Sequence, residues 1–122
     1  MTPARPRQDP EALLPLTPAA VEILLALADG EAHGYEIMRS VDARTGGRLT
    51  LHAGTLYRAL ARLLDTGLIA ELDDRPNPDD DERRRYYRLT PFGIRVTEAE
   101  AARLASQVRA ARSRRLLRRM GA

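Results

Sequence analysis

The side chains able to do covalent or metal chemistry are few, and they are badly placed for it. The chain has no Cys, which removes thiolate nucleophiles, thiolate metal sites and disulfides together. His33 and His52 each stand just before a helical pattern, where an imidazole serves as a cap or a surface group. With no carboxylate at ligand spacing beside them, they do not make a metal site. Ser40, Ser106 and Ser113 have no neighbouring His–Asp pattern to activate a hydroxyl. Gly46-Gly47 lacks the Lys-Ser/Thr that follows a phosphate-cradling loop and reads as a helix stop. Asp79, Asp80, Asp81 and Glu82 gather four carboxylates without the spaced ligands of an EF-hand, so a solvated acidic loop is the simplest reading. This inventory predicts no enzyme, no cofactor and no metal.

The chemistry that remains is that of arginine, which supplies all 20 basic side chains. Residues 1–100 hold 13 Arg against 17 acids, a net of −4, whereas residues 101–122 hold seven Arg and no acid. A basic end of this kind attracts nucleic acid or an acidic partner. The complete absence of Lys also fits a compositional bias, so the tail alone decides nothing. A sharper signal lies in AGTLYRALARLLDTG, residues 53–67. Around Leu56, the residues Ala53, Ala59, Leu60, Leu63 and Leu64 gather on one helical face, at 100° per residue. Thr55, Arg58 and Arg62 line the opposite stripe, with Tyr57 at the boundary. A helix entering the major groove needs such an apolar back and polar front, and Arg can bind guanine through two hydrogen bonds. Between residues 39 and 62, five Arg meet one acid, Asp42. Arg83, Arg84 and Arg85, beside Tyr86-Tyr87, add a basic strand suited to gripping phosphate.

The elements that must hold these residues follow from the punctuation of the chain. Its 122 residues amount to one domain, and a hydrophobic fraction of 43% is enough for a core without staples. No apolar run approaches the roughly 20 residues of a membrane span, and the first residues lack the apolar stretch of a signal peptide. A cytoplasmic protein with no membrane partner is the expectation. Pro3, Pro6, Pro10 and Pro15 make residues 1–16 read as a flexible arm. Thr17-Pro18 predicts a cap and first turn for a buried helix ending at Gly30. Tyr35 to Arg44 predicts a second helix with Ile37, Met38 and Val41 on its inner face. Arg48 to Leu51 reads as a short strand, followed by the third helix, which stops at Gly67. Leu68 to Leu72 and Arg85 to Leu89 read as strands flanking an acidic loop, and Thr90-Pro91 opens a last helix reaching about Met120.

That order predicts an α+β, mainly α fold: a winged helix-turn-helix over residues 17–92, then a long C-terminal helix over 93–120. Along that last helix Ile94, Ala101, Leu104, Ala105, Val108 and Ala111 recur at spacings of three and four. A stripe lying beyond a complete winged-helix core has little of its own domain left to cover it. It therefore predicts a dimerisation seam between two copies.

The segments HGYEIMRSV, LHAGTLYRALARLLDTGLI and RRRYYRLTPFG, in this order, resemble the PadR family of bacterial transcriptional regulators. The resemblance covers about residues 17–97, and the single C-terminal helix is similar to the family's compact branch. It implies a winged helix that dimerises through its C-terminal helix, and repression relieved by a small molecule such as a phenolic acid or an antimicrobial. It also makes Tyr35, Thr55, Tyr57, Arg58 and Arg84 candidate DNA contacts. Family members often carry Pro directly after the Tyr of the third helix, where this chain has Arg58. The wing loop departs as well, with Asp73, Asp74, Asp79, Asp80, Asp81 and Glu82 against Arg75. Phosphate would repel these acids, so either the tip points away from DNA or only Arg83 to Arg85 at its base make contact. The chain has no Trp, one Phe and four Tyr, and this inventory names no effector.

The expected function is a sequence-specific DNA-binding transcriptional regulator. We read it as a repressor that binds double-stranded DNA at a palindromic operator as a homodimer and is released by a small-molecule effector. The alternative is a winged-helix protein-interaction module docking an acidic partner on its Arg-rich tail. A third reading is a nucleic-acid binder acting through charge alone.

Overall fold

The computed structural model describes residues 9–72 and 85–116. Helix α1 (Pro18–Ala28) begins where Thr17 and Pro18 dictate. The Thr17 hydroxyl accepts the Ala20 N–H at 3.1 Å, and Pro18 occupies the first turn, where a missing donor costs nothing. Strand β1 (Ala32–His33) leads into α2 (Gly34–Thr45). Here His33 is a cap in the full sense: its Nδ1 accepts the Glu36 N–H, while the Glu36 carboxylate accepts the His33 N–H. Gly46 closes α2 at a φ of 61°, a left-handed turn natural to glycine. Helix α3 (Ala53–Asp65), strands β2 (Ile69–Glu71) and β3 (Tyr86–Leu89), and helix α4 (Pro91–Ser113) complete the chain.

The antiparallel sheet has the order β1-β3-β2, so β3 is central. Ala32 pairs with Tyr87 and His33 with Tyr86 on one side; Ile69 pairs with Leu89 and Glu71 with Tyr87 on the other. Ile23, Leu24, Ile37, Val41, Leu56, Leu60, Leu68 and Val96 form the fully buried centre, so every long helix contributes to one core. Glu22 of α1 is ion-paired with Arg44 of α2 at the edge of that core. The fold is therefore mainly helical with a small three-stranded sheet, in the winged helix-turn-helix arrangement.

Four expectations need correction. Residues 48–51 form no strand. The hydroxyl of buried Thr45 accepts the Leu49 N–H at 3.2 Å, and the Arg48 N–H bonds to the Thr45 carbonyl, so the segment folds back on the end of α2. Its alternation survives in the burial of Leu51, but the third strand is β1, just before α2. Ala53 does not join the inner face of α3; it is exposed at the first residue of the helix. Helix α4 stops at Ser113, well short of Met120. The Leu116 N–H reaches back to the Ala111 carbonyl and the Arg115 N–H to that of Arg112, with Arg115 at a φ of 64°. This is a Schellman closure with arginine in the place glycine usually takes. Finally, the part of the N-terminal arm that is described is folded. Pro10–Leu13 makes a 3-10 turn, and Leu13, Leu14 and Leu16 pack against the core.

The root of α4 fits closely against the start of the hairpin. Thr90 donates its hydroxyl to the Gly67 carbonyl at 2.6 Å and accepts the Gly93 N–H at 2.9 Å, while its own N–H bonds to the Leu68 carbonyl. A Cβ at Gly93 would lie 1.9 Å from the Leu68 carbonyl oxygen, so no side chain fits there.

Candidate nucleic-acid interface

Helix α3 separates its two faces cleanly. Leu56, Leu60 and Leu63 are buried, and Ala59 and Leu64 pack partly against the core. Thr55, Arg58 and Arg62 are all exposed, as is Tyr57. None of the three polar stripe residues is drawn into an ion pair among the described residues, so the guanidinium groups are free to meet an anion. The stripe borders a cleft of about 300 Å³ shared with the first turn of α1, lined by Thr17, Ala20, Thr55, Arg58 and Arg62.

The two tyrosines of the resemblance take different places. Tyr57 leans on bare backbone: a Cβ at Gly34 would come 3.0 Å from the Tyr57 hydroxyl oxygen. That contact ties α3 to the first turn of α2 while leaving more than half of the Tyr57 side chain open to solvent. Tyr35 is likewise exposed, stacked on His33 at 6.5 Å between ring centroids, with the Arg39 guanidinium 5.8 Å from its ring. The cation and ring attract each other through the ring quadrupole. Arg39 was not singled out in the sequence; its spacing of four residues from Tyr35 within one helix was the available signal.

The wing is described only at its base. Arg83, Arg84 and the acidic run from Asp79 to Glu82 lie outside the described residues. Arg85 is exposed and sits 3.4 Å from the Glu71 carboxylate across the hairpin. Such a surface pair contributes at most about 1 kcal/mol, too little to prevent a phosphate from competing for the same guanidinium. Tyr87 beside it is buried; that burial raises its hydroxyl pKa above 10.0, and the Glu71 charge adds to the effect.

On α4, Phe92, Gly93, Val96 and Glu100 face the domain. Glu100 is almost fully buried. It accepts the Leu16 N–H at 2.7 Å and pairs with Arg103, and that hydrogen bond holds its carboxyl below the ordinary 4.5 against the opposing pull of burial. The expected seam residues are open. Ile94, Leu104 and Val108 are 46%, 37% and 41% exposed, Ala101 and Ala105 are exposed, and Ala111 is partly covered near the helix end. No helix among the described residues is long and apolar enough to cross a membrane.

Comparison with known proteins decides the family. The model of the Transcriptional regulator PadR-like family matches residues 23–99, from the middle of α1 through most of the domain-facing part of α4. This chain belongs to the PadR-like family. PadR-like proteins are transcription regulators and not enzymes. A 37.1 kDa protein in transposon TN4556 of Streptomyces fradiae is 40% identical over 93 residues, covering 74% of this chain. The chain spans about a quarter of that relative, 25% of its length. A transcriptional regulator from Clostridium thermocellum is 28% identical, with a TM-score of 0.66 over 78% of this chain and 87% of its own. Bacillus subtilis PadR, solved in complex with operator DNA, shares the fold with a TM-score of 0.58 at 24% identity, over 70% of this chain and 47% of its own. Arg58, directly after Tyr57 on α3, carries an exposed charge.

Proposed function

We propose that this PadR-like chain is a repressor that reads a palindromic operator as a homodimer, with α3 as its recognition helix, and lets go when a small molecule binds. The observation that carries the reading is α3. Three leucines are locked into the core while Thr55, Tyr57, Arg58 and Arg62 stand exposed beside one another. Arginine and threonine in that setting suit base edges, while Arg85, preceded in the sequence by Arg83 and Arg84, suits phosphate. Tyr35 and its neighbour Arg39 extend the same basic surface from α2. The operator complex of Bacillus subtilis PadR supports DNA as the partner. Pairing of two copies follows from the uncovered stripe of α4, since successive major grooves need two recognition helices. Release by an effector rests on the family resemblance alone.

The test is a mobility shift on the DNA upstream of the chain's own gene, at two salt concentrations and with scrambled competitor. A specific complex that survives the competitor is the expected result. Equal competition by scrambled DNA would reduce the protein to a charge-driven binder, and no complex with either DNA would favour a protein-docking module.

A further inference from the structure

Five arginines lie between residues 39 and 62, and the fold engages them unequally. Arg44 is ion-paired with Glu22, Arg48 donates its Nε–H to the Thr45 carbonyl at 3.1 Å, and Arg39 sits over the Tyr35 ring. Among the described residues, Arg58 and Arg62 are the two of the five whose guanidinium groups have no such partner. Both are exposed, and both border the cleft against the first turn of α1, which Ala59 and Leu63 also line.

Two uncommitted guanidinium groups can serve phosphate or base, and the surroundings favour base. The end of α1 is poorly furnished for a phosphate. Pro18 has no N–H, the Ala20 N–H is spent on the Thr17 hydroxyl at 3.1 Å and the Val21 N–H on the Thr17 carbonyl at 3.0 Å, which leaves Ala19 alone. Base readout is in turn narrowed by what the chain lacks. Adenine is read through two hydrogen bonds by Asn or Gln. The sequence holds one Asn, at 77, and two Gln, at 8 and 107, and none of them lies on α2 or α3. Cytosine is read by a carboxylate. The one acid of α3 is Asp65, its last residue, where phosphate repels it. What remains is arginine on the O6 and N7 of guanine.

We propose that α3 reads a pair of guanines in each half-site, one with Arg58 and one with Arg62, and no adenine. The proposal rests on the recognition-helix reading above and adds to it the bases that are read and their spacing. Four residues apart on one helix, the two arginines are separated by about 6 Å along the axis and about 40° around it. Successive bases of a strand rise about 3.4 Å, so the two G·C pairs lie within one to two base-pair steps of each other. Asp65 at the far end sets the direction, with the first turn of α3 deeper in the groove. Thr55, about 4.5 Å before Arg58 along the axis, offers a hydroxyl and a methyl group, which tolerate more than one base.

The test is selection of binding sites by the full chain from a random pool of double-stranded DNA, which should enrich half-sites carrying such a pair of G·C base pairs. In the enriched site, 7-deazaguanine at either guanine removes the N7 acceptor and keeps the base pair, and it should weaken binding about tenfold. Inosine lacks only the amino group that faces the minor groove, and it should bind as guanine does. R58A should lose its response to one 7-deazaguanine and R62A to the other, a correspondence that a merely structural role for either arginine would not produce. Enriched half-sites without G·C pairs, or sites indifferent to 7-deazaguanine, would overturn the guanine reading and leave the repressor reading standing. Equal weakening of R58A and R62A on every DNA would make both arginines phosphate contacts and overturn it too. A pool that yields no preferred sequence would remove the repressor reading itself.

Discussion

Helices α3 and α4 each carry an apolar stripe but dispose of it in opposite ways. In α3 the leucines at 56, 60 and 63 are spent inside the domain, and apart from the small Ala53 and Ala61 the side chains that face water are polar or aromatic. In α4 the first turns bury Phe92 and Val96, but from Leu104 through Ala110 every residue is exposed. About ten residues of helix therefore project without a domain beneath them, and isolated helices of that length are marginal in water. The difference separates a surface that is covered within its own domain from one that is left open. Substitutions on the exposed face of α3 should alter what is bound and leave folding alone, while those on the exposed face of α4 should alter assembly.

The largest expected effect breaks the comparison on the α4 side. Leu104→Glu with Val108→Glu should give a monomer in light scattering whose winged-helix domain stays folded and helical. Specific operator binding should vanish, a loss on the order of 4 kcal/mol or more relative to non-specific DNA. A double variant that remained dimeric would put the seam elsewhere, and one that bound its operator as a monomer would remove the need for pairing. Next is the root of the same helix. On helix propensity alone, Gly93→Ala should stabilise by about 1 kcal/mol. The Leu68 carbonyl, 1.9 Å from the new Cβ, reverses that sign, and a net loss of about 3 kcal/mol is expected in urea unfolding. A neutral result would mean that α4 can shift on its base at little cost.

On α3, Arg58→Ala and Arg62→Ala should each reduce discrimination between operator and random DNA by about 1–3 kcal/mol, with unfolding unaffected. Equal losses on both DNAs would place the residue among the phosphate contacts. The smallest effect concerns Glu100. Its carboxyl is held below the ordinary value, so its contribution to stability is complete above pH 4.5 and is lost as the pH falls from there through the lowered value. Glu100→Gln should flatten the acid end of the stability curve below pH 4.5 and leave the dependence near neutrality alone. An unchanged acid limb would show that the Arg103 and Leu16 contacts do not bias protonation.

Local signals were legible where a residue type settles the backbone by itself. Thr17-Pro18, Gly46, Gly67 and Thr90-Pro91 fixed starts and stops, and the period of Leu56, Leu60 and Leu63 gave the face of α3. What stayed hidden depends on partners distant in sequence or on an atypical residue. Ala32–His33 is two residues long and becomes a strand only because β3 lies beside it. Residues 48–51 alternate like a strand, yet the Thr45 hydroxyl supplies their hydrogen bond instead. The end of α4 carries no glycine, since Arg115 takes the left-handed position. Residues 10–16 are anchored by a carboxylate 84 positions away, which no local pattern encodes. In the interface, the α3 stripe was readable from spacing, whereas the backing of Tyr57 by Gly34 is a tertiary contact between two helices.

The fit of Gly93 against Leu68 has a mechanical consequence. Gly67 ends the turn after α3, Leu68 follows it, and Thr90 clamps both to the first turn of α4. With no side chain between the two backbones there is no soft layer to absorb rotation, so α4 and α3 move as arms of one rigid bracket. α4 is about 34 Å long, at 1.5 Å per residue over its 23 residues. By that length, a tilt of about 5° at the root carries its tip about 3 Å. In a dimer paired along α4, the separation of the two α3 helices would be set by that angle, and a small wedge near the seam would become a mismatch with the pitch of the double helix.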